Sequence, residues 1–500
     1  MKHLKHNGIL IPPKLKWKKL HIKVHGKRLD LTLEQEEMAV AWVKKLGTEY
    51  AEDSVFVKNF FHDFRQALGM KEKAPPEDFD FSAVIKEVDR EKAIKQSLTK
   101  EEKKKLAAER KKAREENKER YGFATVDGVK VELGSYMAEP SSIFMGRGKH
   151  PLRGHWKRGP NESDIILNLS PDASKPEGNW KEIAWQPDNM WIAKWDDKLR
   201  GKEKYVWLAD SSPLKQRKDI DKFNKAIELS KRIKDVRKHI IENLDAEDVT
   251  RRKIATVCYL IDTLKLRVGD ERDSDEADTI GATTLRPEHI TFGNNGIVTF
   301  DFLGKDAVRW QKQVRLPEHV VGNIQEFMKT SKSSLFDGVG SKSVSLFLDE
   351  MAPGVSAKVF RTYHASKVVS DFLNSSGVSK PAPEYEKKHV ATIANLEAAI
   401  VCNHKKKPRK NWKESLAKKT ERLKKLRAKG TESAKKRAKV LEYQIKAFRE
   451  TRDYNLGTSL KSYIDPRIYY RWGQKVDFDW KLHYPKTLQK KFSWVEQERG

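Results

Sequence analysis

Residues 403–456, NHKKKPRKNWKESLAKKTERLKKLRAKGTESAKKRAKVLEYQIKAFRETRDYNL, limit the possible folds more than any other stretch of the chain. Leu416, Leu423 and Leu426 form one apolar stripe. Ala434, Ala438, Leu441, Ile445 and Phe448 form a second at alternating four- and three-residue steps, and Gly430 lies between the two. That spacing places each stripe on one face of a helix, where a facing helix can cover it. The segment therefore predicts an antiparallel helical hairpin with a thin seam and strongly basic outer faces. A pair with so little core cannot organise a domain. It is expected to project from a larger body and to move.

The rest of the 500-residue chain must supply that body, with room for two or three domains on the order of 150 residues each. Lys and Arg total 101 against 72 Asp and Glu, a formal net charge of +29, yet 13 tryptophans are present, which a disordered basic tail would lack. A folded protein with a positive surface suits a nucleic acid duplex carrying one negative charge per about 1.7 Å. An anionic membrane surface is the rival partner, but no apolar run of spanning length and no signal peptide occurs. The two cysteines, Cys258 and Cys402, lie in apolar helical sequence and read as reduced core thiols of an intracellular protein.

Up to about Ser211 the chain reads as mixed. FVKNFFHDFRQALG is an amphipathic helix, DIILNLS and KYVWLAD are strands, and FATVDGVKVELG is a hairpin turning at Asp127-Gly128. KEEKKKLAAERKKAREENKERYG is a long solvated helix with Thr99 and Glu102 as its capping box. From about Pro213 to Cys402 the pattern turns helical, with Ile254, Val257, Ile261 and Leu264 on one face. One hairpin interrupts it, GIVTFDFLGKDAVRWQKQV, with Gly304 and Lys305 at the tip, where glycine is expected to permit the bend.

No GxxxxGK[ST] loop occurs, which argues against nucleotide-driven work, and no cysteine–histidine spacing supports a zinc site. His3, His6, His21 and His25 read as surface histidines rather than ligands. GRGKHPLRGHWKRG reads as mobile backbone carrying Arg147, Lys149, Arg153, Lys157 and Arg158 toward phosphates.

Near the C-terminus, LGTSLKSYIDPRIYYRWG sets Tyr463 among small polar residues, at a helix end before Asp465-Pro466. Tyr469 and Tyr470 read as packing residues. Arg267, Lys305, Arg361 and His404 are individually unremarkable in so basic a chain. Together with Tyr463 they suit attack of a phenol on a phosphodiester. Arginine forks meet the charge spreading over the phosphate oxygens, a histidine adds a hydrogen bond, and a lysine protonates the leaving alkoxide. A free phenol ionises near about pH 10, so neighbouring cations must favour the phenolate.

The segments FDFLGKDAVRW, SAKVFRTYHAS, AAIVCNH, LGTSLKSYIDPRI, LKLRVGDERDSDEADTIGATTLRPEHI, FMGRGKHP and KNFFHDFRQ, in that family's order along the chain, closely resemble the eukaryotic-type DNA topoisomerase IB family, in a compact, archaeal-like form. The resemblance implies an α+β multidomain fold: a bilobed DNA clamp with a mixed α/β cap lobe over 1–212, a mostly helical catalytic lobe over 213–405, a helical-hairpin linker over 406–454 and a small helical C-terminal domain over 455–500. It implies a 3′-phosphotyrosyl bond on Tyr463, with Arg267, Arg361 and His404 on the phosphate and Lys305 as the proton donor. Strand rotation and religation then follow without ATP, metal or other cofactor. Arg147, Lys149, Lys204, Asp306 and Ser462 are implied as DNA contacts. The implied partner is double-stranded DNA, the implied state a monomer, and the location cytoplasmic and nucleoid-associated, or nuclear in a eukaryote.

Three departures from the family stand out. Ser462 replaces the asparagine that animal members carry in the camptothecin pocket, which implies weak drug sensitivity. Leu152 replaces a clamp-closing lysine, leaving Lys149 or Arg153 to meet Glu276–Asp278. The long charged N-terminal extension of eukaryotic members is expected to be absent. Two other readings stay open on residues alone: a tyrosine recombinase with the same Arg-Lys-Arg-His-Tyr chemistry, and a non-catalytic architectural DNA binder.

Overall fold

A computed structural model describes residues 1–71, 74–146, 148–269, 280–331 and 333–497, and Asp306 through its backbone only. Arg147 and the Glu276–Asp278 segment lie outside the described residues. The chain divides into two compact units, one over residues 1–215 and one from Gln216 onward. No described helix is long and apolar enough to cross a membrane.

The first unit is α+β. Leu4–His6, Phe123–Val126 and Val129–Glu132 form an antiparallel sheet in which Val126 pairs with Val129 across the Asp127-Gly128 turn. Both turn residues take left-handed backbone, φ 48° and 84°, as a two-residue hairpin requires. A four-stranded sheet runs Glu182–Ala184, Ile166–Asn168, Trp191–Asp197, Lys202–Trp207. The amphipathic helix Ser54–Ala67 buries Phe56, Phe60, Phe61 and Phe64, and Phe60 stacks on Trp42 with centroids 4.7 Å apart. The charged helix Lys100–Tyr121 buries nothing and keeps its Thr99–Glu102 capping box.

One histidine expectation fails here. His6 is buried, because the short strand carrying it alternates inward and outward and turns Leu4 and His6 inward together. Its Nε2 lies 2.9 Å from the Asn168 carbonyl, and burial pushes its pKa down to about 4.

The second unit is mostly helical: the Pro213–Glu242 helix from Gln216 on, Val249–Leu264, Glu318–Thr330, Ser341–Asp349, Ala357–Ser375 and Glu384–Val401. A three-stranded antiparallel sheet is set among them, and its long hairpin pairs Ile297–Gly304 with Val308–Arg315. Gly304 sits at φ −89°, which any residue can adopt. The left-handed residue of the tip is Ala307, at φ 55°, so the bend does not depend on the glycine. Cys258 and Cys402 are buried free thiols.

The hairpin read from the leucine and alanine stripes is Trp412–Ala428 and Glu432–Glu450, turning at Gly430 with φ 66°. Leu423, Leu426, Ala438, Leu441 and Ile445 form its own small core. Its second helix does not stand free: Tyr443 packs on Tyr385 and His389 of the Glu384–Val401 helix, each at 5.2 Å between centroids. The residues after 455 share a core with their neighbours. Ile464, Tyr469, Trp472, Phe492 and Trp494 join Phe223, Val369, Leu373 and Ala394 of three earlier helices in one apolar cluster. Tyr469 donates to the Ala391 carbonyl, and Tyr470 packs on Trp480, so both tyrosines serve packing.

Candidate active site

Four chain segments in the second unit end at one point. The Val249–Leu264 helix stops at Lys265, whose left-handed backbone (φ 58°) turns the chain toward Arg267. The Ala357–Ser375 helix carries Arg361 in its second turn. After the Glu384–Val401 helix, Asn403 takes φ 52° and the His404 N–H closes back on the Ala399 carbonyl at 2.8 Å, a common helix stop with asparagine in the left-handed position. The Leu456–Ser462 helix ends at Tyr463, whose N–H bonds the Ser459 carbonyl, and Asp465 then caps the next helix ahead of Pro466.

The side chains meet. Arg267 interacts electrostatically with Tyr463. The Arg361 guanidinium carbon lies 5.1 Å from the Tyr463 ring centroid, and the His404 ring lies 5.3 Å from it. Arg361 is buried and donates to the carbonyls of Lys265 (2.6 Å) and Cys402 (2.9 Å), while its Nη2 approaches His404 Nε2 at 3.4 Å. Arg361 Nε is buried without a hydrogen-bond partner, which leaves a donor for an arriving anion. Lys305 is exposed at the tip of the long hairpin, and a cavity of about 110 Å³ is lined by Arg267, Lys305, Arg361 and His404 together with Asn455 and Thr458.

Burial, reinforced by two guanidinia, controls the histidine. Burial, then Arg361, then Arg267, push the His404 pKa down to about 3, so the imidazole is neutral at physiological pH. Its Nδ1 lies 2.8 Å from the hydroxyl of the fully buried Ser459. Burial also presses the Arg267 pKa below its usual value, with Tyr463 opposing.

Two serines belong to the site that residue-type reasoning did not single out. Ser459 partners His404. Ser366 donates to the Tyr463 carbonyl at 3.2 Å and accepts from the Asp465 N–H at 3.0 Å, tying the tyrosine's turn to the helix that holds Arg361. Both lie inside recognised segments, SAKVFRTYHAS and LGTSLKSYIDPRI, but a serine carries no signal of its own.

The DNA-contact candidates fare unevenly. Lys149 is exposed. Lys204 lies within 3.6 Å of Glu139 and 4.0 Å of Asp197. Ser462 is half-buried at the end of the tyrosine's helix, and the Asp306 side chain is outside the described residues. The glycine-arginine loop is less free than its composition suggests. Arg153 pairs with Asp53 at 3.1 Å and donates to the Gly148 carbonyl, Lys157 pairs with Asp197 and Glu139, and Arg158 with Glu34. Arg153 is therefore already committed, which weakens it as a stand-in for the lysine that Leu152 replaces.

Three family descriptions match the chain in succession: the DNA-binding fragment of eukaryotic DNA topoisomerase I over residues 1–208, the catalytic core of that enzyme over 211–437, and a C-terminal topoisomerase domain over 435–499. Relatives include DNA topoisomerase 1 beta of Arabidopsis thaliana, 35% identical over 99% of this chain and 58% of the relative. DNA topoisomerase 1 of Drosophila melanogaster is 34% identical over 98% and 54%, and that of Homo sapiens 33% identical over 99% and 70%. The chain thus spans a little over half the length of the plant and fly relatives. Matched end to end in this way, the chain belongs to the eukaryotic DNA topoisomerase I family.

Proposed function

We propose that the protein is a type IB DNA topoisomerase that relaxes positive and negative supercoils through a 3′-phosphotyrosyl intermediate on Tyr463. The observation that carries this is a buried tyrosine whose ring centroid lies 5.1 Å from the Arg361 guanidinium carbon and 5.3 Å from the His404 ring, with Arg267 in electrostatic contact.

In this reading a backbone phosphate enters the cavity beside Tyr463. Tyr463 gives up its phenolic proton to solvent, its oxygen attacks phosphorus, the bond to the 5′ oxygen breaks, and that oxygen takes a proton from Lys305. Arg267 and the free Nε of Arg361 meet the charge that builds on the non-bridging oxygens. A neutral His404 can donate to the phosphate only with its proton on Nε2. That tautomer requires Nδ1 to accept, and the Ser459 hydroxyl at 2.8 Å is placed to donate to it. The long 3.4 Å approach of Arg361 to Nε2 would open as the phosphate arrives. Religation reverses each step: the 5′ hydroxyl attacks, Lys305 recovers the proton, and the tyrosine leaves. Phosphodiester is exchanged for phosphodiester, so no ATP is needed.

The two units would close around the duplex as a clamp, cap lobe over 1–212 against catalytic lobe over 213–405, with the 406–454 hairpin near downstream DNA slowing rotation and the 455–500 segment carrying the nucleophile. The partner is double-stranded DNA, held by a single chain through backbone phosphates, with Arg147, Lys149, Lys204, Asp306 and Ser462 as contacts. Its place is on chromosomal DNA, in a nucleoid or nucleus according to the source. Ser462 in place of asparagine implies poor trapping by camptothecin; abundant covalent complex at ordinary drug concentrations would contradict that.

A plasmid assay separates the readings. The topoisomerase relaxes either sign of supercoil in EDTA without ATP, and Tyr463→Phe abolishes relaxation while leaving DNA binding nearly intact. A recombinase needs its cognate sites, and an architectural protein forms no covalent adduct. Relaxation by the Tyr463→Phe protein would refute the assignment.

A further inference from the structure

We propose that His62, Asp63 and His155, in the first unit, form a binding site for one divalent transition-metal ion of the zinc class. One ligand atom from each of the three lies within 4.8 Å of the others. Asp63 Oδ1 is 3.1 Å from His62 Nδ1 and 3.0 Å from His155 Nδ1. Ligand atoms about 2.0–2.1 Å from a tetrahedral zinc ion stand about 3.3 Å from one another, so against the 4.8 Å bound the ligand atoms must close by up to about 1.5 Å to hold the ion. Two imidazoles and one carboxylate select zinc, cobalt or nickel over magnesium or calcium, which demand oxygen donors. The His62 side chain is 55% exposed, which leaves the fourth position open to water.

The site is built rather than chanced upon. Asp63 Oδ2 accepts the Trp156 backbone N–H at 2.7 Å, an outer contact that orients the carboxylate. The chain ahead of His155 is fastened to the same helix. Asn59 donates to the carbonyls of Pro151 and Arg153, both at 2.8 Å. A Cβ on Gly154 would lie 2.1 Å from the Phe56 carbonyl oxygen, so helix and loop touch backbone to backbone there. His155 is thereby held against the helix that carries Asp63. His62 is different: among the contacts described it meets only Asp63 and, ring to ring at 6.2 Å, His155. A purely structural carboxylate staple explains His155 and Asp63 but gives His62 no task. A bound ion would cross-link the Ser54–Ala67 helix to the segment that presents Lys149, and would serve as a structural brace outside the active site.

The test is a titration of untagged, metal-free protein with zinc chloride against a chromophoric chelator, with cobalt chloride as a spectroscopic probe. The expected result is one ion per chain, with visible cobalt absorption of tetrahedral character. His62→Ala, at an exposed position that leaves the fold intact, is expected to weaken binding at least about 10- to 100-fold, the range that loss of even an outer partner produces. His155→Ala is expected to do the same. Wild-type binding no tighter than that of His62→Ala would overturn the proposal, as would one-to-one binding that persists when both histidines are replaced. None of the three ligands lines the active-site cavity, so either result leaves the topoisomerase assignment where it stands.

Discussion

Ser459→Ala tests the active-site reading at a residue that touches no substrate. Ser459 is fully buried, and its hydroxyl is 2.8 Å from Nδ1 of a histidine that is itself buried. Removing the hydroxyl leaves that nitrogen without a partner, at a cost of about 1–3 kcal/mol. If His404 meets the phosphate through an Nε2 proton fixed by Ser459, the cost falls on the transition state. At 1.36 kcal/mol per tenfold, cleavage slows between about fivefold and 150-fold. If Ser459 only packs, the same cost falls on the fold and lowers the melting temperature instead. Single-turnover cleavage of a duplex whose 5′ fragment escapes after cutting measures the chemical step, and a filter-binding titration measures DNA affinity. The expected pattern is slow cleavage, unchanged affinity and partial recovery in Ser459→Cys, which keeps a weak donor. Cleavage within twofold of wild type by a folded Ser459→Ala protein would refute the tautomer argument.

Acid should destabilise the protein through its buried histidines. His6, His404 and His483 have pKa values pushed by burial to about 4, 3 and 3, so below about pH 6.5 the unfolded chain binds protons that the folded one does not. Each contributes a slope of up to about 1.4 kcal/mol per pH unit, and denaturation midpoints should fall steadily from pH 6.5 toward pH 4; a flat profile contradicts the burial. Arg467→Ala should cost about 3–5 kcal/mol by stranding Asp465, since both partners of their 2.8 Å pair are buried; a melting temperature near wild type would contradict this. Gly154→Ala should destabilise the first unit, because φ +93° is strained for alanine by about 1–3 kcal/mol before its Cβ meets Phe56; limited proteolysis of residues 1–215 reports it, and wild-type resistance would count against it.

Features set by short-range chemistry were legible in the sequence. The two helices of the C-terminal hairpin follow from the Leu416–Leu426 and Ala434–Phe448 stripes, the hairpin at Asp127-Gly128 from its left-handed residues, and the charged helix from its Thr99–Glu102 box. Features set by packing were not. His6 looks like any surface histidine until Leu4 beside it is seen to turn inward. Arg153, Lys157 and Arg158 look free until Asp53, Asp197 and Glu34 are brought to them from distant segments. The candidate site was legible only through family resemblance. Arg267, Arg361, His404 and Tyr463 sit on four separate segments, and no spacing rule joins them. The proposed metal ligands show the same limit, since Asp63 and His155 are 92 residues apart.

The account rests on one bond, between the Tyr463 oxygen and a DNA phosphorus. Its most direct test is mass spectrometry of the covalent complex trapped on an end-labelled duplex, after digestion of both DNA and protein. The expected result is a nucleotide remnant on the peptide carrying Tyr463, attached through a 3′ phosphate and missing from Tyr463→Phe. A remnant on another residue, a 5′ linkage, or no adduct from protein that relaxes plasmid would contradict it.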